Sequence, residues 1–494
     1  MTRQFDRYAR RLGRRWRAAV GCSGMSASSE SRTGADVAVI GGGITALVAA
    51  RRLVESGRSV CVLEASASLG GQIRTVDFAG HAVDVGAEAL HVAGPHVERL
   101  IDELGLRDDL VVANPGFAWI WTQRGLRRMP AGMGPAGPTR LGPVVGSRVL
   151  SPGGIARAAL EPMVPRGPGG ADVGVGEFLA RRFGPQVSER LVDPVLGSLH
   201  AGEIDRLSLR AATPHVATQA ERHRSLLLAH RHRRGAAAPS FVSFAGGLKR
   251  LVDSLVASTG AEIRTSSPVA ALCYDSGRVE LEMVDGARNL FDAVVVATPA
   301  RVAAELLGQW CPVAAAELGG LRAASVATAV VSYPRGRVAA TAAMSANGLL
   351  VPSGARRFLK AATFLTSKWP HLEDPDRFLV RLSAGRIGID ELADLDDDSV
   401  ISKMQKDLAE MCGLDAEPLG WHLERWPTTL ARLEVGHLER LARARAAIGD
   451  APILLAGAAI DGLGIASCVA SADRVATAVE AAVEVARRSE ELRT

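Results

Sequence analysis

Three short apolar runs, each too compact for a helix and each ending at a glycine- or proline-marked turn, punctuate this chain. They are Asp36-Val37-Ala38-Val39-Ile40, the stretch from Phe291 to Thr298 that Pro299 breaks, and Pro452 to Ala456, which runs into the glycine-rich segment Gly457 to Gly464. Runs without polar alternation predict strands buried on both faces, as in a parallel sheet covered by helices. After the first run the period changes. Ile44 to Ser56 has helical spacing, Gly57 ends it, and Ser59 to Leu63 is a second apolar strand, so the order strand, turn, helix, strand predicts the opening half of a βαβ unit. A terminal helix is predicted from about Ser471.

The three runs anchor stretches at 34–90, 241–300 and 445–490, which we expect to form one discontinuous nucleotide-binding domain of Rossmann-like α/β class. Between them, 91–240 reads as a mainly helical substrate- or membrane-facing domain, with a Pro/Gly-rich wall or entrance at about 130–172. Residues 301–444 alternate strand-like runs (Val326 to Tyr333, Phe378 to Ser383) with helices (Asp397 to Met411, Val435 to Ile448), predicting an inserted α+β substrate domain.

Length and charge refine this picture. A chain of 494 residues exceeds what one core fills, so several domains with room for a large cofactor are expected. The net charge of +5 would suggest an anionic partner if it were spread over the body. It is not: residues 1–33 hold eight arginines against Asp6 and Glu30, leaving 50 basic and 51 acidic residues elsewhere. A neutral body argues against nucleic-acid binding. Residues 1–33 read as a basic, disordered arm, and Met25 offers an alternative start. In that arm Phe5, Tyr8, Leu12 and Trp16 recur at helical spacing, which would suit peripheral contact with an anionic membrane. The arm lacks a secretory apolar core, and no run approaches the ~20 apolar residues of a membrane span. Six scattered cysteines (Cys22, Cys61, Cys273, Cys311, Cys412, Cys468) form no C-x-x-C pair. They predict neither zinc nor disulfides, and with the rest a cytoplasmic location. The cluster from Arg222 to Arg234 reads as a solvated loop.

Gly41-Gly42-Gly43-Ile44-Thr45-Ala46 carries the first chemistry. It fits G-x-G-x-x-G/A: Gly41 makes the turn, Gly43 lets backbone approach a pyrophosphate, and Ala46 lets helix pack on strand. The helix N-terminus then offers unpaired N–H groups to the phosphates. Glu64, 23 residues after Gly41 at the end of the second strand, is placed to accept from ribose hydroxyls.

The following segment separates FAD from NAD. Ala65-Ser66-Ala67-Ser68-Leu69-Gly70-Gly71-Gln72-Ile73-Arg74-Thr75 resembles the L-G-G-x-x-R-[ST] run of the amine oxidase-like flavoprotein superfamily, with Ser68 where that family has Arg. The resemblance implies FAD contacts from Glu64, Ala65, Gly71, Gln72 and Arg74. It extends to Gly86, Ala87, Glu88 and Ala89 along the isoalloxazine ring, to Val269 at the adenine, and to Ala458, Leu463, Gly464 and Ile465 where the chain returns to the ring. Within that superfamily the chain resembles the oxygen-dependent protoporphyrinogen/coproporphyrinogen oxidases from about residue 35 onward. Arg181-Arg182-Phe183-Gly184 continuing through Asp193-Pro194 to Ala201-Gly202 and Leu207-Ser208 is similar to their R-R-F-G…P…G-V-Y-A-G…L-S signature, with Ser198, Leu199 and His200 substituted. Phe244 to Leu248, Gly348 to Pro352, Ser367-Lys368-Trp369, Arg381-Leu382-Ser383 and Gly385-Arg386 also match.

The resemblance implies oxidation of a porphyrinogen to a porphyrin: six electrons leave in three two-electron steps, dioxygen is the acceptor and no metal is used. The Arg-rich composition favours the coproporphyrinogen branch of actinobacterial type, and haem biosynthesis implies handover to a ferrochelatase. Propionates call for cations at the pocket. Here the chain departs from its relatives, with His91 to Gly94 where they carry Arg or Lys, and Leu430 to Leu433 where they read M-P-Q-Y. His91, Lys368, Arg386 and Arg432 are the candidate substrate contacts. Two other readings stay open: an amine oxidase or desaturase on the same cofactor, and a flavin- or porphyrin-binding protein without turnover.

Overall fold

A computed structural model describes residues 35–491, except 93, 135–136, 166–170, 230–240, 276, 339–340 and 389–390. The N-terminal arm and residues 230–234 of the basic cluster lie outside the described residues.

The apolar runs lie side by side in a five-stranded parallel sheet. Its order is Glu262–Arg264, Val60–Leu63, Val37–Ile40, Ala293–Val296 and Ile453–Leu455. Val37 stands opposite both Val60 and Ala293, and Val294 opposite Ile453. Each residue of the central strand Val37–Ile40 is buried, because helices cover both faces. Ile44–Glu55, Lys249–Ser258 and the terminal helix Ile465–Glu491 pack on one side; Ala300–Leu307, Pro312–Gly319 and His437–Ile448 pack on the other. The terminal helix therefore starts six residues before the expected Ser471. Ser467 faces Gly462, and the turn at Gly464 rather than any later polar residue opens the helix.

A second, seven-stranded sheet has the order Gly420–Ala431, Ala323–Pro334, Arg377–Ala384, Leu359–Phe364, Gly348–Leu350, Ala118–Thr122 and Gly125–Arg128. All its pairs are antiparallel except Gly348–Leu350 with Ala118–Thr122. Two of its strands thus come from the stretch expected to be mainly helical. Ala118-Trp119-Ile120-Trp121-Thr122 forms a hairpin with Gly125–Arg128 and joins the sheet through a partner more than two hundred residues later. One face of the sheet (Ala327, Ala329, Val331, Val380, Leu382) packs on the helix Asp397–Cys412. From the other face Val330 and Leu379 meet Val83 and Val85, beside the hairpin Thr75–Phe78 and His81–Asp84. This sets the second sheet against the loops of the first.

The Pro/Gly-rich stretch at 130–172 holds two helices, Leu141–Ser147 and Pro152–Ala159, and a short strand pair. They join Val175–Phe183 and Asp193–Leu199 around a separate apolar core. Glu161 pins this unit. Fully buried, it pairs with Arg182 and accepts hydrogen bonds from Ser225 Oγ and the Leu226 and Leu227 amides, so the charge is compensated on every side.

Candidate active site

The glycine turn is built by contacts that leave no room for side chains at two positions and open ground at the third. Gly41 has φ +111°, and a methyl group there would sit 2.8 Å from the Ala297 carbonyl oxygen. Gly42 donates its amide to Glu64 Oε2 at 2.6 Å, and a methyl on it would strike Leu69 and Glu64. Above Gly43 nothing lies within 4 Å. The strand before the turn and the helix Ile44–Glu55 after it thus expose one backbone patch at a helix N-terminus, where an anion is favoured.

Glu64 is held by two amides, Gly42 and, at 2.7 Å, Ser66, which fixes the carboxylate while leaving each oxygen a free lone pair. Segment 264–267 is strapped to it, Ser267 donating its amide to the Glu64 carbonyl and Ser266 to that of Ser66. From the far end of the chain the Cys468 thiol on the terminal helix hydrogen-bonds with the Thr45 hydroxyl, and a methyl on Gly457 would come within 3.8 Å of that same hydroxyl oxygen. A methyl on Gly464, φ +98°, would meet nothing within 4 Å. Two helix N-termini therefore converge on open backbone beside a fixed carboxylate. These residues suit the diphosphate and ribose of a dinucleotide.

Gly70-Gly71 carries the chain over this patch: Gly70 donates to the Gly42 carbonyl, and Gly71 approaches the Gly43 Cα. Gln72 and Arg74 then reach the second sheet, Gln72 donating to the Thr429 carbonyl and Arg74 pairing with Glu424 at 3.2 Å. The 86–89 segment is strapped to the same strand by Val85 and Ala87 amides donating to the Arg74 and Gln72 carbonyls. A side chain on Gly86 would collide with the Gln72 carbonyl.

Where this segment meets the second sheet, Glu88 accepts from Lys368 Nζ at 2.7 Å, Trp369 Nε1 at 3.0 Å and Arg381 at 3.0 Å. Arg381 also donates to the Gly86 carbonyl. Burial would raise the Glu88 pKa, but the two cations outweigh it and hold it at about 2. The result is a rigid ionised floor.

Further along the same sheet, cations lack such partners. Lys360 is 4% exposed, and its ammonium has no hydrogen-bond or ion-pair partner among the described residues. Burial, reinforced by Arg386 and Arg381, brings its pKa down to about 7. Arg386, 6% exposed, spends one nitrogen on the Val351 carbonyl and leaves Nε and Nη1 unmet. His200 is buried with Nδ1 unmet, and its pKa falls to about 4 through burial and the charges of Arg432 and Lys360.

The sequence family described as flavin containing amine oxidoreductase matches residues 45–480. This chain belongs to that family. Among its relatives in the flavin-containing family is a coproporphyrinogen III oxidase of Mycobacterium leprae (strain TN), 32% identical over 91% of this chain and 98% of that protein. One from Bacillus subtilis (strain 168) is 28% identical over 88% and 95%. A crystal structure from Exiguobacterium sp. 255-15, provisionally described as a protoporphyrinogen oxidase, superposes with TM-score 0.80 at 29% identity, covering 91% of this chain and 99% of the other. Cyclohexylamine oxidase from Brevibacterium oxydans IH-35A shares the fold, with TM-score 0.66 at 18% identity.

Of the residues expected at the site of this flavin oxidoreductase, the turn 41–46, Glu64, Gly71, Gln72, Arg74 and 86–89 are linked by the contacts above, Ala458 and Ile465 pack in the same core as Ile44, Leu463 packs in a separate small cluster with Ala300, and Gly464 turns the chain between them. Ala65 is exposed beside Glu64, and Val269 opens a strand directly after the strapped 264–267 segment. The substrate candidates divide. Lys368 is spent on Glu88. His91 stands exposed on a separate three-stranded sheet, edge-on to Phe241. Arg432, expected as a substrate contact, is fully buried and donates to the His200 and Glu203 carbonyls, with Nε left unmet. Arg386 keeps two donors unmet, Nε and Nη1, against one, Nε, on Arg432. Sequence reasoning missed Lys360 and gave Arg381 no role. The signal was there in a single cation set in the apolar run Phe358 to Phe364.

Proposed function

We propose that this chain is an FAD-dependent oxidase that aromatises a porphyrinogen, with coproporphyrinogen III favoured over protoporphyrinogen IX, using dioxygen as acceptor. The observation that carries this reading is similarity to coproporphyrinogen III oxidases over nearly the whole length of both chains. The reaction removes six electrons and six hydrogens, so one porphyrinogen and three dioxygen yield one porphyrin and three hydrogen peroxide.

When bound, FAD supplies a two-electron acceptor that dioxygen can reoxidise. The protein's share is placement. Gly41 to Ala46 and Gly464-Ile465 offer amides to the diphosphate, and Glu64 accepts from the ribose. Gly86 to Ala89, fixed by Glu88 with Lys368 and Arg381, make an immobile wall against which a flat macrocycle can be held for transfer from a meso carbon. In this reading residues 34–90, 241–300 and 445–490 form the FAD domain, and the product passes to a ferrochelatase.

The test is incubation of the purified holoprotein with each porphyrinogen in air. The expected result is porphyrin fluorescence and hydrogen peroxide in a ratio of one to three, faster with coproporphyrinogen III. Turnover of neither porphyrinogen above autoxidation would overturn the reading.

A further inference from the structure

We propose that Lys360 and Arg386 form an interior carboxylate-binding site that takes a propionate of the substrate, replacing the cation this chain lacks around His91. The inference rests on the porphyrinogen reading for the identity of the ligand, while the demand for an anion comes from the side chains themselves.

The two cations are held by one short piece of backbone. The Val351 amide donates to the Lys360 carbonyl at 3.1 Å, and the Val351 carbonyl accepts from Arg386 Nη2 at 2.7 Å. Ser198 Oγ donates to the Lys360 carbonyl at 2.9 Å, and the Ile387 amide to that of Ala201, so the end of the helix Asp193–Leu199 and the turn after it close the other side. Lys360 is also the extra residue of a β-bulge: Leu359 pairs with Ala384 and Ala361 with Ser383, leaving Lys360 unpaired between them. Bulges re-aim side chains, and this one takes Lys360 out of the alternation that would otherwise be set by its core-facing neighbour Leu359. The strand is thus distorted at the residue whose charge lacks a partner.

Among the described residues no carboxylate pairs with that charge. The carboxylate acting on Arg386 is Asp193, which already accepts the Ser353 amide at 2.7 Å and Ser353 Oγ at 2.8 Å and makes no ion pair with Arg386 among the described residues. Glu88 is committed to Lys368, Arg381 and Trp369. Buried cations without a counter-ion are costly, and Arg386, with Nε and Nη1 unmet, together with a Lys360 ammonium that donates to no group among the described residues, calls for an acceptor with several lone pairs. A carboxylate has that inventory, and a guanidinium with an ammonium beside it is a planar-plus-point pair suited to it.

The experiment uses holoprotein and two probes: coproporphyrin III, and its tetramethyl ester, in which every carboxylate is capped. Binding is read by quenching of porphyrin fluorescence, which needs no turnover. Lys360→Met and Arg386→Gln are each expected to weaken binding of the acid at least tenfold while the ester binds wild type and variants alike; Lys360→Arg should recover most of the loss. Unchanged acid binding, or equal loss of acid and ester, would overturn the proposal. Thermal melting adds a second readout: Lys360→Met should melt at or above the wild-type temperature, because an unpaired buried charge has been removed. Failure of the oxidase reading is distinguishable. A wild type that turns over no porphyrinogen but binds the acid through these two residues leaves this site intact, whereas turnover with no acid-selective loss removes the site and keeps the reaction.

Discussion

Glu88 shows how much a single buried carboxylate contributes at the residue scale. Removing one partner of a buried ion cluster strands the others, so Glu88→Gln should cost about 3 kcal/mol in a denaturant melt. The sign with pH follows from its depressed pKa, about 2 against an ordinary 4.5. Its stabilisation is complete above pH 4.5 and is lost as pH falls toward 2, so the variant should show a flatter acid limb than wild type. Two other buried groups oppose each other at milder pH. His200 is held neutral, its pKa down from 6.5 to about 4, and so costs stability as pH falls through that window. Asp84 is pushed up to about 6, chiefly by burial despite hydrogen bonds from Thr75 and the Leu248 amide, and so gains stability over nearly the same window. Each effect is roughly 3 kcal/mol and they nearly cancel. His200→Phe should therefore remove that loss, so that the stability of the variant relative to wild type rises as pH drops from 6.5 to 4; a constant difference would show that His200 titrates normally.

At the scale of elements, the glycine turn separates folding from ligand binding. Gly41→Ala places a methyl against the Ala297 carbonyl at a φ that L-residues rarely adopt, and it should cost on the order of 1–3 kcal/mol in flavin-free protein. Gly43 has extended backbone, φ −77° and ψ 176°, and open space above it. Gly43→Ala should leave the flavin-free melting temperature within a degree or two and weaken flavin retention at least tenfold, measured by absorbance after gel filtration. Equal effects of the two substitutions on stability would contradict this division. The second sheet shows what strands can hide. Ala118–Thr122 carries two tryptophans and no clean alternation; it forms a local hairpin with Gly125–Arg128, but its other partner, Gly348–Leu350, is remote in sequence, so the hairpin's place in the large sheet could not be inferred locally.

For the whole molecule, the site exists where two sheets and both ends of the described chain meet. Arg74 with Glu424, Gln72 with Thr429, and Arg381 with Gly86 cross between the sheets, while Thr45 and Cys468 join the ends. Ligand removal should loosen these junctions together. In hydrogen exchange, stripping the flavin is expected to raise exchange of segments 41–46, 70–74 and 457–465 in concert and to leave Val37–Ile40 and Ala293–Val296 protected. Loosening confined to one segment would count against a shared site. Among the described residues no helix is long and apolar enough to cross a membrane.

The sequence by itself determined the parallel strands and the dinucleotide turn, because buried parallel strands are continuous apolar runs and the turn needs glycine wherever a carbonyl or a ligand comes close. It also determined the family, through motifs spread along the chain. Only the tertiary structure decided which cations are spent and which are free. Lys368 and Arg432 are consumed by Glu88 and by the His200 and Glu203 carbonyls. Lys360 and Arg386 are not. A side chain's partners are set by bulges and by crossings between distant strands, and neither leaves a local trace in composition or period.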